Sequence, residues 1–291
     1  MTTIGFVGLG AMGSRIAGRL LSAGHQVYGT NRTRSKAQPL IDGGLQWRAS
    51  PREVAEASDV IFSMVTDDAA LEAVTSGPDG IVAGLKDGTV YIDMSTVSPR
   101  VSRRVAERVS GRGVQMLDAP VSGSIPQAES GTLAIFVGGD GAAFAAVEPI
   151  LSELGQAVTH VGANGRGLLL KLAVNISLAV QTLAFSEGLL LAERGGIDPR
   201  VAAEAMSTSS IGSPMLKARV PLLLDLPKDA WFDVTLMEKD IRLARQAASE
   251  LALALPSATV ADEMLARASE LGYAHRDLAA LHEVLAQTPA A

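Results

Sequence analysis

Three glycines at positions 8, 10 and 13 constrain this chain more than any other feature. They follow Ile4-Gly5-Phe6-Val7, an apolar run of the kind a buried strand needs, and they precede residues 11–23, which read as a helix ending at Gly24. A lone G-x-G-x-x-G is weak evidence, but Gly8-Leu9-Gly10-Ala11-Met12-Gly13 sits between strand and helix, the context that makes it a dinucleotide fingerprint. The first glycine permits the turn, the second lets the backbone approach a pyrophosphate, and the third lets the helix lie close on the strand. The helix start then meets the phosphate charge with N–H groups and its dipole.

The rest of the first half fits that opening. A second strand reads at 26–30, and strand-like runs recur at 60–65, 89–93, 115–118 and 133–137, with helical stretches such as 52–57 and 99–110 between most of them. Pro39, Pro51, Pro78 and Pro99 fall at connections or helix starts. This alternation predicts parallel βαβ units and an α/β sheet. After residue 163 the character changes. Residues 167–194 are almost continuously apolar, interrupted by Lys171, Asn175, Gln181 and Glu187. About 20 apolar residues would cross a bilayer, but those polar groups make a span costly, so a buried helix is the expectation. Residues 199–207, 234–255 and 257–271 also carry helical patterns. The predicted division is therefore 1–163, α/β, and 164–291, all α, which suits 291 residues at roughly 150 per domain.

Composition narrows the function classes. Hydrophobic residues at 47% and charged residues at 19% exclude a disordered chain, a collagen-like repeat and a small disulfide scaffold. A net charge of −6 argues against a nucleic-acid partner. Without cysteine there is no disulfide or thiolate nucleophile, and with no basic region ahead of the first apolar run no secretory signal is expected, so the expected location is the cytoplasm. His25, His160, His275 and His282 are scattered, so no metal site is expected, and no G-x-S-x-G elbow supports a hydrolase. His25 reads as a helix-end cation, and Asp67-Asp68 as the cap of the helix that follows.

Cofactor choice is read at the end of the second strand. An NAD-preferring chain places Asp or Glu there, whereas this one has Thr30-Asn31-Arg32-Thr33. Arg32 can pair with a 2′-phosphate and stack on adenine, and Asn31 and Thr33 can donate hydrogen bonds. The alternative is a solvated basic loop. The expectation is NADP(H) in preference to NAD(H).

Four further segments carry candidate chemistry. Lys171 lies in the most apolar stretch with Asn175 one turn later on the same face; such a lysine either snorkels outward or faces a polar cleft, where it would be a proton donor. Asp118-Ala119-Pro120-Val121-Ser122-Gly123-Ser124 follows a strand and can offer a hydroxyl and N–H groups to a carboxylate, or be an ordinary turn. Asp93-Met94-Ser95-Thr96 falls at the carboxyl edge of the sheet, where cofactors lie. Lys239-Asp240 reads by itself as a solvated charge pair.

Together these motifs resemble the β-hydroxyacid dehydrogenase family over nearly the full chain: the opening glycine segment, Asp93 to Thr96, Asp118 to Gly123, Gly165-Arg166-Gly167 leading to Lys171 and Asn175, and Lys239-Asp240. The resemblance implies a Rossmann-like N-terminal domain joined by a long helix to an all-α C-terminal domain, in homodimers or homotetramers. It implies Lys171 as catalytic acid/base with Asn175 beside it, and Ser122, Gly123 and Ser124 around the substrate carboxylate. Gly8, Leu9, Gly10, Ala11, Met12 and Gly13, then Asn31, Arg32 and Thr33, then Val65, Thr66, Thr96 and Lys239 would meet the cofactor. The implied substrate is a small carboxylate-bearing aldehyde, keto acid or hydroxyacid. Two positions depart from the family: Ser124 stands where a second glycine is frequent, and Val174 where many members carry Asn. The rival readings are an imine reductase, in which the lysine is generally replaced, and a non-catalytic NADPH-binding module.

Overall fold

The computed structural model describes residues 2–288, which divide into two compact units between Lys171 and Leu172. The first begins β1 (Thr3–Val7), α1 (Ala11–Ser22), β2 (Gln26–Thr30), α2 (Gln38–Asp42), β3 (Gln46–Trp47), α3 (Pro51–Glu56), β4 (Val60–Ser63), α4 (Asp68–Thr75) and α5 (Ile81–Gly84). It continues with β5 (Val90–Asp93), α6 (Pro99–Ser110), β6 (Gln115–Asp118), β7 (Val121–Ser122), α7 (Ile125–Ser130), β8 (Leu133–Gly138), α8 (Gly141–Leu154) and β9 (Gly155–Gly162). One sheet runs β3-β2-β1-β4-β5-β6-β8-β7, with β9 also pairing β8. From β3 to β6 every pairing is parallel, in the order of a doubly wound dinucleotide fold.

The strictly parallel expectation ends at β6. Strand β8 runs antiparallel to both β6 and β7, while β9 returns parallel to β8. Pro120, with no N–H to donate, interrupts the ladder after β6, and its carbonyl instead accepts the Phe136 N–H at 3.1 Å.

Burial explains the central strands. All four residues of β4 are buried, as in a strand covered on both faces. Alternate side chains feed two cores: Ile4, Phe6, Phe62 and Ile92 on one face, and Val7, Ile61, Tyr91, Val105 and Leu168 on the other. Helix starts follow local chemistry. Ser50 and Ser98 cap α3 and α6 ahead of Pro51 and Pro99, and Asp67 caps α4 by accepting the Ala70 N–H at 2.8 Å, as the sequence suggests.

Helix α9 (Arg166–Arg194) starts where the composition changes, and the division between the units falls within it, after Lys171. The second unit continues with α10 (Pro199–Thr208), α11 (Pro214–Leu224), α12 (Val234–Glu250), α13 (Pro256–Ala268) and α14 (Leu281–Ala286). Among its described residues the strand-like pairing is an isolated bridge between Asp233 and Asp277. Helix α9 is long and apolar enough to cross a membrane, yet Thr182 and Ser186 on it are fully buried and donate to the Leu178 and Thr182 carbonyls. Val234, Met237, Ile241, Leu265, Leu278 and Leu281 pack with Ala179 of α9, as a core helix requires.

Between α12 and α13 the backbone turns through Ala252 at φ +54°, a left-handed conformation that suits glycine. The Leu253 N–H reaches back to the Ala248 carbonyl at 2.9 Å, closing the end of α12. Ala252→Gly relieves the Cβ strain but adds unfolded-state entropy. We expect a net gain of about 0.5–1 kcal/mol, read as a raised denaturant midpoint at constant m-value; a loss of stability would contradict it.

Candidate cofactor and active site

The glycine turn joins β1 to α1, and each glycine has a distinct reason to be there. Gly8 adopts φ +97°, and a Cβ on it would lie 2.3 Å from the Met64 carbonyl oxygen. A Cβ on Gly13 would lie 2.1 Å from the Gly8 oxygen and 3.1 Å from the Phe6 ring, so this glycine lets α1 seat on β1. Around Gly10 a Cβ would meet nothing within 4 Å. That open space faces the start of α1, which has no side-chain cap and no acidic residue in its first turn. A backbone cradle opening on an uncapped helix N-terminus fits a dinucleotide pyrophosphate.

The loop after β2 is tied to this cradle. The Leu9 N–H donates to Asn31 Oδ1 at 3.2 Å, and Asn31 Nδ2 donates to the Thr33 carbonyl at 3.0 Å. The Asn31 amide therefore braces the two loops, a role that spacing alone does not suggest. Arg32 and Thr33 are exposed at the rim. Beside them the Arg34 guanidinium lies 5.4 Å from the centre of the Trp47 ring, and that of Arg48 lies 4.3 Å from Tyr28.

Two buried aspartates, register partners on β5 and β6, organise the carboxyl edge of the sheet. Asp93 Oδ1 accepts from Ser63 Oγ at 2.6 Å and from Ser95 Oγ at 2.7 Å, and Ser95 Oγ accepts the Val65 N–H at 2.9 Å. This chain of bonds fixes the Val65-Thr66 loop and the start of the loop carrying Thr96. Asp118 accepts the Gly165 N–H at 2.6 Å and the Leu168 N–H at 3.0 Å, closing the first turn of α9. Burial pushes the Asp118 carboxyl up to about 6, against the lowering effect of those N–H donors, and neighbouring Asp93 raises it further. The unfolded chain releases this proton near the ordinary carboxylate value while the fold keeps it. Asp118 thus favours the fold fully at low pH, and that contribution is lost as pH rises through about 6.

The loop beyond β6 places Ser122 on β7 and gives Gly123 φ +132°. Ser124 begins α7 in a capping box: its hydroxyl accepts the Gln127 N–H, and its own N–H donates to Gln127 Oε1 at 2.9 Å. That accounts for a serine where the family often has glycine, with the hydroxyl accepting one N–H and keeping its own proton to donate.

Lys171 does not snorkel: it is 8% exposed. In the second unit Asn175, 1% exposed, donates through Nδ2 to Asp240 Oδ2 at 2.6 Å, and Lys239 Nζ lies 2.8 Å from Asp240 Oδ1. The Lys239-Asp240 pair is therefore not the solvated surface pair that its sequence alone suggests, since Asp240 is 2% exposed. Its carboxylate orients the Asn175 amide, whose Oδ1 is buried without a hydrogen-bond partner among the described residues. Within the first unit the glycine turn, Asn31 to Thr33, Val65-Thr66, Thr96 and Ser122 to Ser124 all follow carboxyl ends of strands. No cluster of His, Asp and Glu among the described residues has the makings of a metal site.

Residues 3–162 match the NAD binding domain of 6-phosphogluconate dehydrogenase, and residues 165–285 match the NAD-binding domain of NADP-dependent 3-hydroxyisobutyrate dehydrogenase. The 2-hydroxy-3-oxopropionate reductase of Escherichia coli (strain K12) is 37% identical over 282 residues, covering 97% of this chain and 96% of its own. The chain belongs to the β-hydroxyacid dehydrogenase family. Glyoxylate/succinic semialdehyde reductase 2 of Arabidopsis thaliana is 34% identical, over 97% of this chain and 79% of its own. The solved Mycobacterium tuberculosis 3-hydroxyisobutyrate dehydrogenase with L-serine superposes with a TM-score of 0.87 at 29% identity, covering 98% and 99% of the two chains. An imine reductase from Pseudomonas sp. superposes at 0.65 with 23% identity, a likeness of fold alone. This β-hydroxyacid dehydrogenase is thus a nicotinamide-dependent oxidoreductase acting on CH–OH groups.

Proposed function

We propose that this β-hydroxyacid dehydrogenase is an NADPH-preferring reductase of a small carboxylate-bearing aldehyde or keto acid, with Lys171 as general acid and, in the reverse direction, general base. The observation that carries the reading is the burial of Lys171 at the start of α9, one turn before the oriented amide of Asn175. The glycine cradle of Gly8, Gly10 and Gly13 would hold the pyrophosphate of a nicotinamide cofactor, which when bound would supply hydride to the carbonyl carbon or take it in reverse. Lys171 gives its proton to the carbonyl oxygen as that oxygen becomes a hydroxyl. Ser122 and the N–H of Gly123 hold the carboxylate, so that binding energy fixes the reacting atoms in place. Retention of the lysine weighs against the imine reductase reading. Exposed Leu191, Ile197 and Val201 on the second unit support self-association as a homodimer or homotetramer.

The NADPH preference rests on the loop after β2, where Arg32 is exposed and no carboxylate stands to repel a 2′-phosphate. Arg32→Ala should lower kcat/KM with NADPH by about 10–100-fold, the worth of one charge-assisted hydrogen bond, and leave the NADH value nearly unchanged. Equal losses with both cofactors would remove Arg32 as the discriminator. The reaction itself is tested by nicotinamide oxidation with NADPH and NADH against glyoxylate, succinic semialdehyde, tartronate semialdehyde, methylmalonate semialdehyde and a cyclic imine. Faster turnover of a carboxylate-bearing aldehyde with NADPH is expected. Turnover of the imine alone would transfer the protein to the rival activity, and silence on all five would leave a binding module.

A further inference from the structure

Asp118 takes no direct part in the reaction set out above, yet more of the first unit is arranged around its carboxylate than helix capping requires. Two glycines leave room around it. A Cβ on Gly138 would lie 2.6 Å from Oδ1, and one on Gly167 would lie 2.9 Å from Oδ2 as well as 2.4 Å from the Phe136 carbonyl oxygen, while the Gly165 N–H donates to Oδ1. The carboxylate is fully buried and reaches α9 from a strand 47 residues away in sequence.

Gly167 precedes Lys171 by one helical turn, on the same face. Helical side chains lean toward the N-terminus of their helix, so the Lys171 stem leans back toward the turn that Asp118 holds. We propose that Asp118 is a positioning residue for the reaction: by gripping the first turn of α9 it sets where Lys171 presents its ammonium group, and its negative charge favours the protonated lysine. This inference rests on the reading of Lys171 as the proton donor.

The charged and titratable groups around Asp118 are few. Asp93 is its register partner on β5, and Tyr91 lies farther along that strand, bonded to Ser63. Arg103 of α6 packs beside Gly165. Arg166 and Lys171 lie on α9, and His160 of β9 is engaged with the Gly139 carbonyl at 2.9 Å. Arg103 and Arg166 are exposed, so solvent screens their charges, whereas Lys171 is buried.

The test is a pair of variants measured with NADPH and whichever aldehyde the panel identifies, with activity expressed per NADPH-binding site titrated by fluorescence. Asp118→Asn keeps the size but loses the charge and presents an amide to one of the two N–H donors. Its kcat should fall by about 10–100-fold, as a displacement on the order of 1 Å at a reacting group does, with KM for NADPH within about twofold. The alkaline limb of its kcat profile, where the proton donor is lost, should move to lower pH. Gly167→Ala keeps the charge but pushes the start of α9 away from the Phe136 carbonyl and from Asp118, so kcat should fall while the limb stays in place. If Asp118→Asn lowers the melting temperature but leaves kcat per site and the limb unaltered, Asp118 is a helix anchor only and the proposal is overturned. Should Asp118→Asn not yield folded protein, an unaltered kcat in Gly167→Ala overturns it instead. Lys171→Ala, measured alongside, separates two failures. Turnover there within tenfold of the parent overturns the lysine reading, whereas an inactive Lys171→Ala with an unaltered Asp118→Asn overturns the positioning role alone.

Discussion

Lys171→Ala should cut turnover by roughly 10²–10⁴-fold, the usual worth of a positioned general acid, while binding NADPH as the parent does. The physical case is one of location. The buried lysine rises from the face of α9 that carries Gly167, and the glycine cradle for the cofactor is built by a different part of the sheet. Removing the amine should therefore spare the cradle. Lys171→Arg should not restore activity, because a guanidinium holds its proton too tightly to exchange it with an alkoxide. Single-turnover measurements with NADPH and aldehyde, paired with a fluorescence binding isotherm, give the two quantities needed. Activity near the parent value would place the acid elsewhere.

The second large effect belongs to stability. Asp277 is fully buried in the second unit and accepts from Arg219 Nη1 at 2.8 Å and from the N–H groups of Trp231, Phe232 and Ala279 at 2.9, 3.1 and 3.0 Å. One carboxylate thus ties α11 to the segment before α12 and to the turn before α14. Asp277→Ala would strand a buried guanidinium, 8% exposed, along with three backbone donors. The expected loss is about 3–5 kcal/mol, comparable with much of a domain's stability. Replacing both partners, Arg219→Met with Asp277→Ala, should recover part of it by removing the uncompensated charge. Urea unfolding followed by circular dichroism measures both, and a change below about 1 kcal/mol for Asp277→Ala would show that water or a rearranged segment satisfies Arg219.

How far the sequence could be read depended on whether the cause was local. The glycine turn, the strands at 26–30 and 115–118, the cap at Asp67 and the helix start at Pro99 were legible because each is decided by residues within one turn or one strand. Strand β9 was not. Its Gln156, Thr159 and His160 are exposed, so it lacks the apolar run that marks the central strands. Strand β7 is only two residues long, and its antiparallel pairing follows from the break at Pro120. The site divides in the same way. Lys171 and Asn175 could be paired by helical spacing, but the Asp240 that orients Asn175 lies 65 residues away, and no periodicity connects them. The bracing by Asn31, the Asp93–Ser95 chain and the grip of Asp118 on α9 are likewise long-range bonds made by short polar side chains. Only the fold brings them together.

The bond from the Leu9 N–H to Asn31 Oδ1 bears on how such an enzyme can change. A carboxylate oxygen accepts that N–H as readily as an amide oxygen does, so Asn31→Asp can introduce negative charge at the rim and keep the bond to Leu9, at the cost of the donor that Nδ2 gives the Thr33 carbonyl. The exposed Arg32 next to it can be exchanged without touching the brace at all. On the proposed reading of Arg32, cofactor preference and cradle shape would be set by largely separable atoms. A lineage could drift between the two nicotinamide pools by small steps, each leaving an intact binding turn.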